Sequence, residues 1–335
     1  GGAVTSMPLV LTDLLTEEGV EGHSYVFCYT RLALAPLAGL IAGLGEAIVG
    51  DPVAPLALDR KMQARFRLLG PQGLTGIAMA AIDMAAWDAL ARACGLPLAR
   101  LLGGEPRPVP AYRSAGMGGV AEAVAETQTS LATGLRAMKF KVGYPTVAED
   151  IAVVRAAREV GGDDLTVMVD YNQSLSVPEA TARLHALDDE RLTWAEEPVS
   201  ADDLAGHANV AAGARTPIQT GENWWGTHDM AKSIAAGASD YVMLDAMKIG
   251  GVTGWLRAAG IAEAHGLMVS SHILPEISAQ LLAATPTMHW LEYHDWIDPI
   301  LAEPLAVKDG HAFPSTRPGS GLEWDEGAVR RCLVA

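Results

Sequence analysis

Thr166-Val167-Met168-Val169-Asp170 is a short apolar run, rich in β-branched residues, that ends on a carboxylate. It is too short for a helix and reads as a buried strand. Similar runs stand at Val109–Tyr112, Ala137–Lys141, Leu192–Glu196, Ile218–Glu222, Tyr241–Asp245, Met268–His272 and His289–Glu292, with Ala-rich helical patterns between them. Alternating βα units predict a parallel sheet that is doubly wound or barrel-shaped, and eight units favour the barrel. The expected fold class is therefore α/β: an eight-stranded parallel TIM-type (β/α)7β barrel over residues 109–304. Residues 1–108 read as an α+β capping domain, completed by a C-terminal segment, 305–335, that packs back on it.

The expected cap begins with strand-like runs at 8–15 and 23–29, joined by a turn at Glu18-Gly19. Helical patterning follows over 33–48 and 75–93. The second stretch is apolar on most faces and predicts a buried helix, stopped by Gly95 and Pro97. The chain opens on Gly1-Gly2 without an initiator Met, which reads as a truncated, processed or tagged start, or a missing N-terminal segment. Half of the 335 residues are apolar, enough for a sizeable core, and the net charge is −16. No basic patch marks a nucleic-acid partner and no stretch reads as a signal peptide or membrane span. Cys28, Cys94 and Cys332 are widely spaced, which excludes a disulfide framework and a zinc cluster and fits a cytoplasmic protein.

What ends each strand carries the chemistry. Lys139 and Lys141, Asp170, Glu196, Glu222, Asp245, His272 and Glu292 close seven consecutive strands. The steps from Lys139 onward are 170 − 139 = 31, then 26, 26, 23, 27 and 20, each about one βα unit. All of these groups arrive at one rim, where the catalytic residues of such barrels sit. Any one of them alone is more readily a cap, a turn residue or a solvated charge. Asp170, Glu196 and Glu222 are all-oxygen ligands that suit Mg²⁺, with Mn²⁺ a substitute. Glu197 competes with Glu196, but alternation along a strand allows only one of them to face inward. Lys139 and Lys141 project to the same side, and their mutual repulsion is expected to lower a lysine pKa and make a base. Asp245 beside His272 would fix the imidazole tautomer and support a second base. Glu292, if protonated, would donate to a substrate carboxylate.

These residues resemble the enolase superfamily, and within it the mandelate racemase subgroup. The most specific segments are 169–174 (Val-Asp-Tyr-Asn-Gln-Ser), 245–255 and 281–287. The resemblance implies Lys141 and His272, backed by Asp245, as bases on opposite faces of the substrate carbon. It implies Asp170, Glu196 and Glu222 as Mg²⁺ ligands, and Lys139 and Glu292 as the groups that hold the substrate carboxylate. It also implies Asn172 and Lys248 beside the metal, Tyr29 and Ser114 beside the substrate, and a homo-oligomer, commonly an octamer. His294, where the subgroup has an apolar residue, and Arg113 and Ala115, where it has an acid and a His, suggest a more polar substrate than an aryl acid. The expected activity is racemisation of a small 2-hydroxy carboxylate through an enediolate. The alternatives are dehydration of a sugar acid on the same site and, remotely, a non-catalytic barrel kept for assembly.

Overall fold

A computed structural model describes residues 6–334 of the chain. Strands β1 (Leu9–Leu15) and β2 (Glu21–Phe27) form an antiparallel hairpin. Helices α1 (Arg31–Ile48), α2 (Pro55–Arg65), α3 (Leu74–Ala93) and α4 (Leu98–Leu101) follow. The hairpin lies on α3: Ser24 Oγ donates to the Ala81 carbonyl at 2.7 Å, and the His23 amide donates to Asp88 at 2.8 Å. Helix α2 adds to the expected cap: it opens on Pro55 and buries Leu58 and Met62 one turn apart. Helices α1 and α3 are long and apolar enough to cross a membrane, but α3 is 83% buried and α1 seats Leu37, Ile41 and Leu44 in the core.

The remaining units run β3 (Val109–Ala115), α5 (Gly119–Ala132), β4 (Ala137–Lys141), α6 (Val147–Gly161), β5 (Thr166–Asp170), α7 (Val177–Ala186) and β6 (Ala195–Glu196). They continue through α8 (Leu204–Gly213), β7 (Ile218–Thr220), α9 (Thr227–Ala236), β8 (Tyr241–Asp245), α10 (Ala246–Ile249) and α11 (Gly251–Ala264). The last are β9 (Val269–His272), α12 (Pro275–Ala283) and β10 (Leu291–Tyr293). Strands β3 to β9 pair in parallel in chain order, and β10 pairs in parallel with β3. The amides of Val269 and Ser271 donate to the carbonyls of Thr287 and Trp290, which brings β9 alongside the segment leading into β10. The result is an α/β barrel in a curled parallel sheet. A short hairpin, β11 (Ala306–Lys308) and β12 (His311–Phe313), adds antiparallel to β3, and α13 (Glu326–Cys332) follows. The C-terminal segment reaches back to α3 and the first hairpin through Arg92–Glu323 at 2.7 Å and Trp324 Nε1 to Asp13 at 2.9 Å.

Three strands are shorter than their apolar runs suggest, β6 and β10 at their starts and β7 at the rim. β6 keeps only Ala195–Glu196, β7 stops at Thr220, and β10 starts at Leu291. At β7 the reason is Gly221, whose φ of +134° turns the chain out of the strand; a Cβ there would meet the Met243 carbonyl at 2.3 Å. Glu222 therefore enters the site from a bend rather than from a strand end.

Gly22 in β2 shows how closely the hairpin sits on α3, since a Cβ would come within 2.2 Å of the Ala85 carbonyl. Gly22→Ala is expected to cost about 1–3 kcal/mol through this overpacking, measured as a lowered denaturation midpoint. An unchanged midpoint would mean that the hairpin shifts freely on α3.

Candidate active site

Strand register, more than any single residue, assembles the site. In the paired strands Lys141 stands opposite Asp170, Asp170 opposite Glu196, and Asp245 opposite His272. Lys139, two residues before Lys141, falls on the same inner side with 1% of its side chain exposed. Its Nζ lies 2.7 Å from Glu196, 2.9 Å from Glu292 and 4.0 Å from Asp170. Lys141 Nζ lies 3.2 Å from Asp170 and donates to the amide oxygen of Asn172. Asn172, at φ +43°, returns its backbone and side-chain N–H groups to Asp170 at 2.7 and 2.9 Å.

Asp170, Glu196 and Glu222 are all buried, and one oxygen of each lies within 4.8 Å of the others. Three hard anionic oxygens converging from neighbouring barrel units fit a Mg²⁺ ion that keeps its other positions for water or substrate. Among the described residues Glu196 has further partners in Trp194 Nε1 at 3.2 Å and Gln219 Nε2 at 3.4 Å. Glu197 does not turn away as strand alternation predicts. Its φ of +35° takes it out of the short β6, and Asn223 Nδ2 donates to it at 2.8 Å. Burial and the neighbouring Glu222 push its carboxyl up to about 8.

Asp245 performs both roles that a strand-ending aspartate can have. One oxygen accepts from the amides of Met247 and Lys248 and starts α10, while the other lies 2.8 Å from His272 Nδ1. Tyr29, from the end of the first hairpin, donates its hydroxyl to that second oxygen at 3.2 Å. On the far side of the ring, His272 Nε2 lies 3.3 Å from Glu222. Burial works against the imidazolium, but Glu222 and Asp245 outweigh it and raise the pKa to about 9. Lys248 donates to Asn223 at 2.7 Å and sits over the Tyr29 ring, 4.8 Å from its centroid.

Two electrostatic expectations are reversed. The lysines were to be depressed by mutual repulsion. Burial does lower them, but Glu196 and Glu292 around Lys139, and Asp170 beside Lys141, outweigh burial and repulsion, and both pKa values stand above the ordinary lysine value. Glu292 was to be protonated. Burial favours that, but Lys139 and then His294 hold it well below the usual carboxylate range, and its second oxygen accepts from the Ile273 amide at 3.0 Å. Glu292 therefore holds Lys139 in place as an acceptor.

Of the two polar departures, only His294 enters the site. Its Nε2 is 3.6 Å from Glu292, and its ring stacks on Trp296 at 3.8 Å between centroids. Arg113 lies between the inward Tyr112 and Ser114, so alternation sends it outward, where it pairs with Glu126 at 3.0 Å and Asp295 at 3.2 Å. It gives no evidence about the substrate. Ser114 stands beside Lys139 in the register of β3 and β4. Asn223 and Tyr112 were missed by the sequence reading. Asn223 directly follows Glu222 and carries the same strand-ending polar signal; Tyr112 lies under Lys139, with the ammonium 5.5 Å from its ring centroid, and nothing in the sequence marks it.

Residues 122–328 match the family described as enolase C-terminal domain-like, and residues 1–103 match the mandelate racemase / muconate lactonizing enzyme N-terminal domain. The chain belongs to the enolase superfamily. Within it the chain is mandelate racemase-like, a Mg²⁺-dependent enzyme related to sugar-acid dehydratases and cycloisomerases. It is 32% identical to L-talarate/galactarate dehydratase of Salmonella typhimurium, over 98% of this chain and 83% of that protein. It is 31% identical to 3,6-anhydro-alpha-L-galactonate cycloisomerase of Streptomyces coelicolor, over 99% of this chain and 93% of that protein. A Bradyrhizobium enolase structure complexed with magnesium and mandelic acid superposes with a TM-score of 0.96 at 48% identity, covering 100% of this chain and 92% of that one.

Magnesium at 100 times its dissociation constant should stabilise the wild-type protein by about 2.7 kcal/mol, read as a rise in melting temperature. Glu222→Gln should lose most of that rise and bind Mg²⁺ more weakly by calorimetry. Unchanged binding would remove Glu222 from the ligand set.

Proposed function

We propose that this protein removes the α proton of a polyhydroxy carboxylate and expels the β-hydroxyl, acting as a sugar-acid dehydratase. The observation that carries the proposal is that a lysine and a histidine stand at the two ends of the acid triad: Lys141 against Asp170 and His272 against Glu222. In this reading Asp170, Glu196 and Glu222 hold Mg²⁺, which when bound supplies positive charge that acidifies the α proton. With Asp170 engaged as a ligand, its pull on Lys141 would weaken, which would free Lys141 to act as a base. Lys141 takes the α proton as the C–H bond breaks. Lys139, fixed by Glu196 and Glu292, takes up the negative charge that develops on the carboxylate; preorganised charge of this kind is usually the largest catalytic term. His272, oriented by Asp245, gives its proton to the β-oxygen, which leaves as water while the enol product becomes a 2-keto-3-deoxy acid.

The polar side chains at the rim, namely His294, Tyr29, Asn223 and Ser114, suit a polyol chain, and the related activities on sugar acids agree. Racemisation of a 2-hydroxy acid is the second reading, favoured by the same pair of opposed bases: His272 would return the proton to the other face. The aromatic contact of Phe27 with Tyr29, at 4.7 Å between centroids, would then flank an aryl or alkyl group. The proposal takes the barrel as closed and eight-stranded, capped by residues 1–108 and 305–335, and the protein as a homo-oligomer whose mass light scattering would measure.

Proton NMR in D₂O with Mg²⁺ and a panel of sugar acids and mandelate tests the reaction. A 2-keto-3-deoxy product supports dehydration; loss of the α-proton signal with no new compound supports racemisation; neither change with any acid rejects both. Lys141→Ala should abolish exchange from one 2-epimer and spare the other, and equal retention of both exchanges would refute the two-base arrangement.

A further inference from the structure

The chain directly after His272 is strained. Ile273 and Leu274 both adopt the left-handed region, at φ +39° and +47°. This is unfavourable for residues with bulky side chains, for a β-branched one above all, and persists only where the surroundings impose it. From the barrel side, Glu292 accepts from the Ile273 amide, and Ser278 Oγ donates to the Ile273 carbonyl at 3.0 Å. Helix α12 then opens with Pro275-Glu276.

Glu276 lies 5% exposed, outside the proton-transfer site, with no part in the chemistry described above. Its Oε2 accepts from the Tyr25 hydroxyl at 2.6 Å, across 251 residues of chain. Burial, followed by the neighbouring Glu276, raises Tyr25 well above the ordinary phenol value, so the phenol stays protonated and can donate. The same strand end supplies Tyr29, which donates to Asp245, the partner of His272. The stretch 25–29 thus grips the His272 element twice: through Asp245 on one side and through the strained turn on the other. A small cavity lies beside the latch, lined in part by Tyr25, Phe27, Ile273, Leu274, Pro275 and Trp296, so the packing between the hairpin and the turn is not continuous there.

We propose that Tyr25 and Glu276 form a buried latch that sets the orientation of His272 from the first hairpin, Glu276 acting as a positioning residue through the Ile273-Leu274 turn. The aim of His272 at its side of the substrate carbon then depends on the seating of the hairpin, whereas the aim of Lys141, held by Asp170 and Asn172 within the barrel, does not.

The test uses the Mg²⁺-loaded full chain with ¹⁵N-labelled histidines, the His272 resonance being assigned by its loss in His272→Asn. Tyr25→Phe and Glu276→Leu should shift or broaden the Nδ1 proton of His272, and Glu276→Gln, whose amide oxygen still accepts from Tyr25, should leave it as in the wild type. The second readout rests on the proposed function: formation of the 2-keto-3-deoxy product, which needs the His272 proton, should fall about tenfold or more, the scale of a small misplacement of a reacting group, while α-proton exchange by Lys141 is retained. An unchanged His272 signal in both Tyr25→Phe and Glu276→Leu, or equal losses of product formation and of exchange by Lys141, would overturn the latch. If the wild type forms no such product from any sugar acid, the proposed function fails, and the His272 signal alone judges the latch.

Discussion

Lys139 has 1% of its side chain exposed, and an ammonium so far from water is tolerable only inside a cage of opposite charge. Glu196, Glu292 and Asp170 form that cage, and each of them is itself buried. The dependence runs both ways, because three converging carboxylates would repel one another without the lysine. The charges can be assembled only if several strands deliver them at the same height. The parallel register does this, setting Lys141, Asp170 and Glu196 side by side. The apolar faces packed against the outer helices fix that register, since a slip of one residue would turn every inward charge into the helix layer.

Asp245 shows how closely the fold and the site are tied. The oxygen that starts α10 and the oxygen that orients His272 belong to one carboxylate, so the helix start and the imidazole are positioned together. The first hairpin adds two phenols to the same region, at Asp245 and at Glu276. Its own seating depends on Gly22, where β2 and α3 approach too closely for any side chain.

The barrel pattern and the polar residue that ends each strand were legible because both are periodic. Alternation with period two and recurrence at about one βα unit survive without knowledge of contacts. Asp170, Glu196 and Glu222 were legible as a triad that could hold a hard cation because residue type alone tells hard oxygen donors from sulfur and nitrogen. Protonation states were not legible. Repulsion between Lys139 and Lys141 was visible in the spacing, but the carboxylates that outweigh it come from strands far along the chain. Glu292 read as a neutral acid for the same reason. Arg113 read as a site residue until the register placed it outside, against Glu126 and Asp295.

By itself, then, the sequence determined the βα order, the rim to which the charges go and the hard-cation chemistry of three acids, since these follow from local pattern and residue type. Only the tertiary structure decided which charges neutralise which, that Glu197 leaves its strand to lie beside Asn223, that Glu222 enters through the bend at Gly221, and that Tyr25 reaches Glu276. Each of these depends on distances between groups remote in the chain, and a Coulomb energy or a hydrogen bond is set by separation in space, on which the order of residues is silent.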